Sequence, residues 1–87
     1  MKIREGFLLR NVAGNNVVVP IGQATLDFNG MMSLNETGAF LFEKMIEGTT
    51  KEQLIEQLMS QYEIDADTAK NDVEEFIEKV KKENLFE

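Results

Sequence analysis

Two regimes of hydrophobic spacing divide the chain. From Phe7 to Val19 the apolar residues come in short dense runs, Phe7-Leu8-Leu9 and Val17-Val18-Val19, on either side of Ala13-Gly14-Asn15. Such runs, rich in aromatic and β-branched residues and bounded by turn formers, predict two strands, Phe7–Val12 and Asn16–Val19, joined as a hairpin. Gly14 and Asn15 tolerate the positive φ that a tight hairpin loop demands. Pro20 has no N–H to give to a ladder, which places it at a strand end or on an unpaired edge. Gly22-Gln23-Ala24-Thr25 reads as a connection. Leu26-Asp27-Phe28 followed by Asn29-Gly30 predicts a bulge or turn, with Met31-Met32-Ser33-Leu34 completing a third strand.

Past Leu34 the spacing lengthens to three and four residues, the repeat of a helix with one buried face. Asn35 serves as N-cap, Glu36 sits where the helix dipole favours an anion, and Ala39, Phe42, Met45 and Ile46 form the stripe that Gly48 terminates. Thr49-Thr50-Lys51-Glu52 fits a capping box ahead of a second stripe, Leu54, Ile55, Leu58, Met59 and Tyr62. Asp65 caps a third helix in which Ala66, Ala69, Val73, Phe76, Ile77 and Val80 recur helically. Asn84 ends it, and Leu85 and Phe86 are expected to fold back on the core. A three-stranded meander cannot bury its own face, so the helices must cover it. The predicted fold is α+β and winged-helix-like, a three-stranded antiparallel sheet followed by three helices, as a single domain over residues 1–87 without linker or repeat.

Charge and composition narrow the functions. No apolar run approaches the roughly 18 residues needed to cross a bilayer, and Phe7-Leu8-Leu9 is interrupted too soon for a signal-peptide core. The expectation is a cytoplasmic protein with no membrane partner. The net charge of −7 is unevenly spread: residues 1–34 carry Lys2, Arg4 and Arg10 against Glu5 and Asp27, while residues 35–87 hold six lysines against fourteen carboxylates. A phosphate backbone is repelled by such a surface, which argues against nucleic acid.

Candidate catalytic groups are scarce. The sequence has no histidine and no cysteine, and its serines are Ser33 and Ser60. A nucleophile needs a tuned base beside it, and none is on offer. Glu74 and Glu75 are adjacent, so they point in different directions on a helix and read as solvated charges. Asp65-Ala66-Asp67 resembles the opening of a calcium loop but lacks its glycine and closing glutamate, so it reads as a cap. The six glycines are isolated and form no phosphate cradle. These readings predict no enzyme, no catalytic residue, no metal and no cofactor.

Three features remain. Gly38 lies in the first turn of a helix, where glycine costs about 1 kcal/mol against alanine, and close approach of a neighbouring element is the favoured reason. Met31 and Met32 are consecutive on a strand, so one faces the core and the other faces elsewhere, as suits an adaptable binding surface. In the last helix Phe76 and Ile77 widen the stripe beyond what packing on a sheet requires, leaving an apolar edge to line a groove.

Leu34-Asn35-Glu36-Thr37-Gly38-Ala39 ahead of Phe40-Leu41-Phe42, with Asp27-Phe28-Asn29-Gly30 upstream, resembles the PqqD family. Gly48-Thr49-Thr50, Tyr62-Glu63-Ile64-Asp65 and Glu83-Asn84-Leu85-Phe86 extend the resemblance from about Phe7 to the C-terminus. These are small chaperones of pyrroloquinoline quinone biosynthesis, and their fold is also called the RiPP precursor peptide recognition element. The resemblance implies that the leader segment of a ribosomally made precursor adds to the edge of the third strand, with the last helix as the other wall. The bound precursor is then presented to a tailoring enzyme, commonly a radical SAM protein. Carried over by position, the edge is Gly30, Met31, Met32 and Ser33. The helix wall comes from Ala69, Lys70, Val73, Phe76, Ile77 and Val80, part of which must be core. The Asp-Phe-Asn-Gly form is similar to the general PqqD-like group, which leaves the modified product open.

Two other readings fit the same architecture. A winged-helix DNA-binding regulator needs a basic recognition helix, whereas Asp65–Glu83 holds seven carboxylates against four lysines. A structural subunit would pair through its strand edge, as a homodimer rather than a monomer.

Overall fold

The computed structural model describes residues 1–28 and 30–87. Strands β1 (Phe7–Val12) and β2 (Asn15–Pro20) pair antiparallel in a register running from Phe7–Pro20 to Val12–Asn15, so only Ala13 and Gly14 remain as the loop. Both take positive φ, 52° and 84°, as a type I′ turn requires. Positive φ was expected at Gly14 and Asn15. Asn15 instead joins the strand, because a two-residue turn matches the twist of the flanking strands, and Ala13 carries the strain.

The connection expected at Gly22–Thr25 and the strand start expected at Leu26 are replaced by a short helix, α1 (Ala24–Asp27). Ala24 is buried, Leu26 points to solvent, and Phe28 meets Phe7 edge-to-face at 5.4 Å. The third strand, β3 (Met32–Leu34), is therefore shorter than the pattern suggested, and the helices number four among the described residues rather than three. Of the turn placed at Asn29–Gly30, Asn29 lies outside the described residues.

The three longer helices follow their caps. In α2 (Glu36–Glu47) Asn35 Oδ1 accepts from the Gly38 N–H at 2.7 Å, and Gly48 closes the helix. In α3 (Lys51–Tyr62) the capping box expected over Thr49–Glu52 sits one residue later, because the helix starts at Lys51: Thr50 and Gln53 exchange its reciprocal bonds. In α4 (Ala66–Lys82) Asp65 Oδ1 accepts from the Thr68 N–H at 2.8 Å. Beyond α4, Asn84 turns left-handed at φ 57°, the Leu85 N–H bonds back to Val80 O, and Leu85 enters the core fully buried. Phe86 then bridges to Ile3, tying the two termini together.

The core lies between one sheet face and the helices. Alternation along the strands sends Phe7, Val18, Met32 and Leu34 inward. The helical stripes answer with Leu41, Phe42, Met45, Leu54, Leu58, Val73 and Val80, all at most 1% exposed. Burying each such side chain stabilises by about 1.5–3 kcal/mol. Helix α2 touches all three strands as well as α3 and α4. No helix among the described residues is long and apolar enough to cross a membrane.

Candidate functional site

The strand order β1-β2-β3 leaves β3 on an edge, and the hairpin fixes which of its main-chain groups face outward. In a two-residue hairpin the closing pair, here Val12 and Asn15, is hydrogen-bonded, and bonding alternates along the ladder from there. The Ile21 N–H donating to Gly6 O at 2.7 Å agrees with that parity. Odd-numbered residues of β2 thus turn their main chain toward β1, and even-numbered residues turn theirs toward β3. Asn16 and Val18 are opposite Leu34 and Met32, while Val17 is opposite Ser33. It follows that Met32 and Leu34 bond inward and Ser33 aims both its N–H and its C=O away from the sheet. Lys79 Nζ donates to that Ser33 carbonyl at 3.3 Å, from the open side. The same parity explains Pro20: its missing N–H would point past the beginning of β3, where no ladder bond is lost.

Helix α4 stands beside this edge, and its approach depends on Gly38. A Cβ there would lie 3.2 Å from Phe76 Cε1 and 3.5 Å from Leu34 Cβ, so the bare α-carbon is what admits the ring. The close approach expected at this glycine is found. Between β3, the first turns of α2 and the flank of α4 runs a cleft of about 250 Å³. Leu34, Leu41 and Phe76 give it an apolar floor, Asn35 and Thr37 one rim, and Asp72, Glu75 and Lys79 the other.

The ten residues carried over from the resemblance separate into groups. Gly30 and Met31, expected on the edge, lie just before β3 and are exposed, with Met31 at 66%; within the strand Ser33 is exposed and Met32 is buried in the core. On α4 only Phe76 of the expected wall lines the cleft. Ala69, Val73 and Val80 have no exposed surface, because they form the row that packs on α2 and α3. Ile77 is half-buried against the same core. Lys70 is exposed one turn before Glu74, which pairs with Lys51 of α3, so it lies on the far side from β3. The Lys51 ammonium holds the Glu74 carboxyl below the usual carboxylate range, and the Thr68 N–H does the same for Asp65. The row bordering the cleft is Asp72, Glu75, Phe76 and Lys79, mostly polar positions that an apolar stripe does not reveal.

This arrangement supplies main-chain donor and acceptor groups at a sheet edge beside an apolar floor. Such an edge can hydrogen-bond an extended chain while the floor receives its alternate side chains.

The sequence profile of the family described as Coenzyme PQQ synthesis protein D (PqqD) matches residues 17–85. No curated protein sequence matches the chain. Among solved structures, TbiB1 in complex with the TbiA(beta) leader peptide is similar with a TM-score of 0.77 at 20% identity, over 100% of this chain and 95% of that one. Lasso peptide synthetase B1 complexed with the leader peptide is similar with a TM-score of 0.73 at 18% identity, over 97% of this chain and 93% of that one. At these identities the likeness is one of fold.

Proposed function

Because the chain belongs to the PqqD family, we propose that it is a non-catalytic adaptor that holds the leader segment of a ribosomally made precursor peptide. The leader adds as a fourth strand along Gly30–Ser33, outside β3, and presses alternate side chains onto the cleft floor. The adaptor then presents the precursor to a tailoring enzyme, a radical SAM protein, in the cytoplasm. The observation that carries this reading is Ser33, whose N–H and C=O both face the open side of an edge strand. Two proteins with this fold whose structures hold leader peptides support it.

Strand addition joins main chain to main chain, so affinity comes from the edge and selectivity from the pockets beside it. The three-residue length of β3 confines the new ladder, which makes the cleft floor of Leu34, Leu41 and Phe76 the main source of discrimination. The test is a titration of the chain with the leader of the precursor encoded beside it, followed by amide resonances. The expected result is large shifts at Met31–Leu34 and around Phe76. Unmoved edge amides at saturating leader would overturn the reading.

A further inference from the structure

The polar rim of the cleft is ordered along its length. Phe76 lies against Gly38 and Leu34, while Lys79 reaches back to Ser33. Helix α4 therefore runs opposite to β3, and its cleft-side row changes sign along the way. Asp72 and Glu75 stand at the Leu34 end. Lys79 stands toward the Met32 end, and beyond it an adjoining depression lined by Glu75, Glu78, Lys79, Lys81 and Lys82 carries one more cation than carboxylate.

Resting on the peptide-binding reading above, we propose that the segment taken by this cleft is charge-ordered. A basic side chain sits at the Leu34 end, an apolar one over Phe76, and an acidic one at the Met32 end. Asp72 and Glu75 have no ion pair or hydrogen bond with another side chain among the described residues, so a cation from a newcomer displaces nothing. Among the described residues Lys79 is engaged only by a main-chain carbonyl that an added strand takes over with its own N–H, which releases the ammonium for a carboxylate. The positive end of α2, which opens on the same cleft, is already answered by Asn35 Oδ1 and by Glu36 in its first turn. If the segment adds antiparallel, as β2 does on the other side of β3, the basic residue is toward its N-terminus and the acidic residue toward its C-terminus. Exposed pairs of this kind are individually weak, but exchanging both charges turns two attractions into two repulsions. The expected discrimination is about three- to tenfold at low ionic strength.

The experiment compares two synthetic peptides of identical composition, alternating valine and threonine, by fluorescence anisotropy with the full chain. One has lysine near its N-terminus and aspartate near its C-terminus, and its twin has the two exchanged. The first should bind about three- to tenfold more tightly, with the difference collapsing near 1 M salt. In a chain carrying Asp72→Lys and Lys79→Asp the preference should invert, and Asp72→Asn alone should shrink it. Equal affinities, with the Ser33 amide moved by both peptides, would overturn the charge order and leave the adaptor reading standing. If neither peptide moves that amide, strand addition itself fails and the charge order fails with it.

Discussion

The Phe76 ring rests where a side chain on residue 38 would be: an ideal Cβ at Gly38 would come within 3.2 Å of Phe76 Cε1. In a helix alanine is favoured over glycine by about 1 kcal/mol, and here that gain is opposed by the need to push the ring aside. Gly38→Ala should therefore leave thermal stability within a few degrees of the parent while shifting the Phe76 ring and the Asn35 cap by a few tenths of an ångström at the cleft floor. Leader affinity should fall roughly fivefold, equivalent to about 1 kcal/mol. Calorimetric titration reads the affinity, and the aromatic proton shifts of Phe76 report the displacement.

Proline scanning separates the two sides of β3. Ser33→Pro removes an N–H that faces away from the sheet, so the domain should stay folded and lose leader binding. Met32→Pro removes an N–H that faces β2 and disturbs a residue buried in the core, so it should lower the melting temperature. Circular dichroism melts and leader titrations of the two variants check the pair. Equal effects on folding would show that the parity assigned to β3 is wrong.

Most of this architecture was legible in the sequence because it depends on local chemistry. Asn35 and Asp65 each cap a helix as their positions suggest, the capping box read over Thr49–Glu52 falls one residue later at Thr50 and Gln53, and the stripes are buried along their centres while Ile46 and Ala66 at their ends are exposed. The hairpin was visible too, though its loop shifted by one residue once pairing drew Asn15 into β2. Less visible was α1, a four-residue helix with no side-chain cap, held by the packing of Ala24 and by Phe28 against Phe7. Strand order marks the open edge of the sheet, but the row of α4 that lines the cleft beside it is not legible in the same way. Apolar periodicity marks the row that enters the core, here Ala69, Val73 and Val80, whereas Asp72, Glu75 and Lys79 face the cleft from the neighbouring row. Which flank of a helix meets a given strand is settled by tertiary packing, and Gly38 was the one local sign of where that meeting occurs.

Core and surface should respond very differently to truncation. Leu58 is fully buried on α3, and Leu58→Ala should cost about 2–5 kcal/mol in denaturant unfolding. Leu26 is 80% exposed on α1, and Leu26→Ala should change stability by no more than about 0.5 kcal/mol.

The acid limb of stability should belong partly to Asp65 and Glu74. Both carboxyls are held below their ordinary range in the fold, Asp65 by the Thr68 N–H and Glu74 by the Lys51 ammonium. A depressed folded-state pKa means stability that is present above the unfolded-state value and is lost as pH falls through the folded one. Melting temperature should thus decline below about pH 4.5 and continue to fall further into acid. Asp65→Asn retains a good N-cap without a titrating proton, so it should make that decline shallower. Thermal melts across the acid range measure both.

Hydrogen exchange at the Ser33 amide tests the central claim most directly. The N–H points to solvent in the free protein, so it should exchange quickly, while the neighbouring Met32 and Leu34 amides, bonded to β2, exchange slowly. Addition of leader should slow Ser33 markedly and change its neighbours little. A Ser33 amide already protected without leader, or one that exchanges equally fast when leader saturates the protein, would contradict the account.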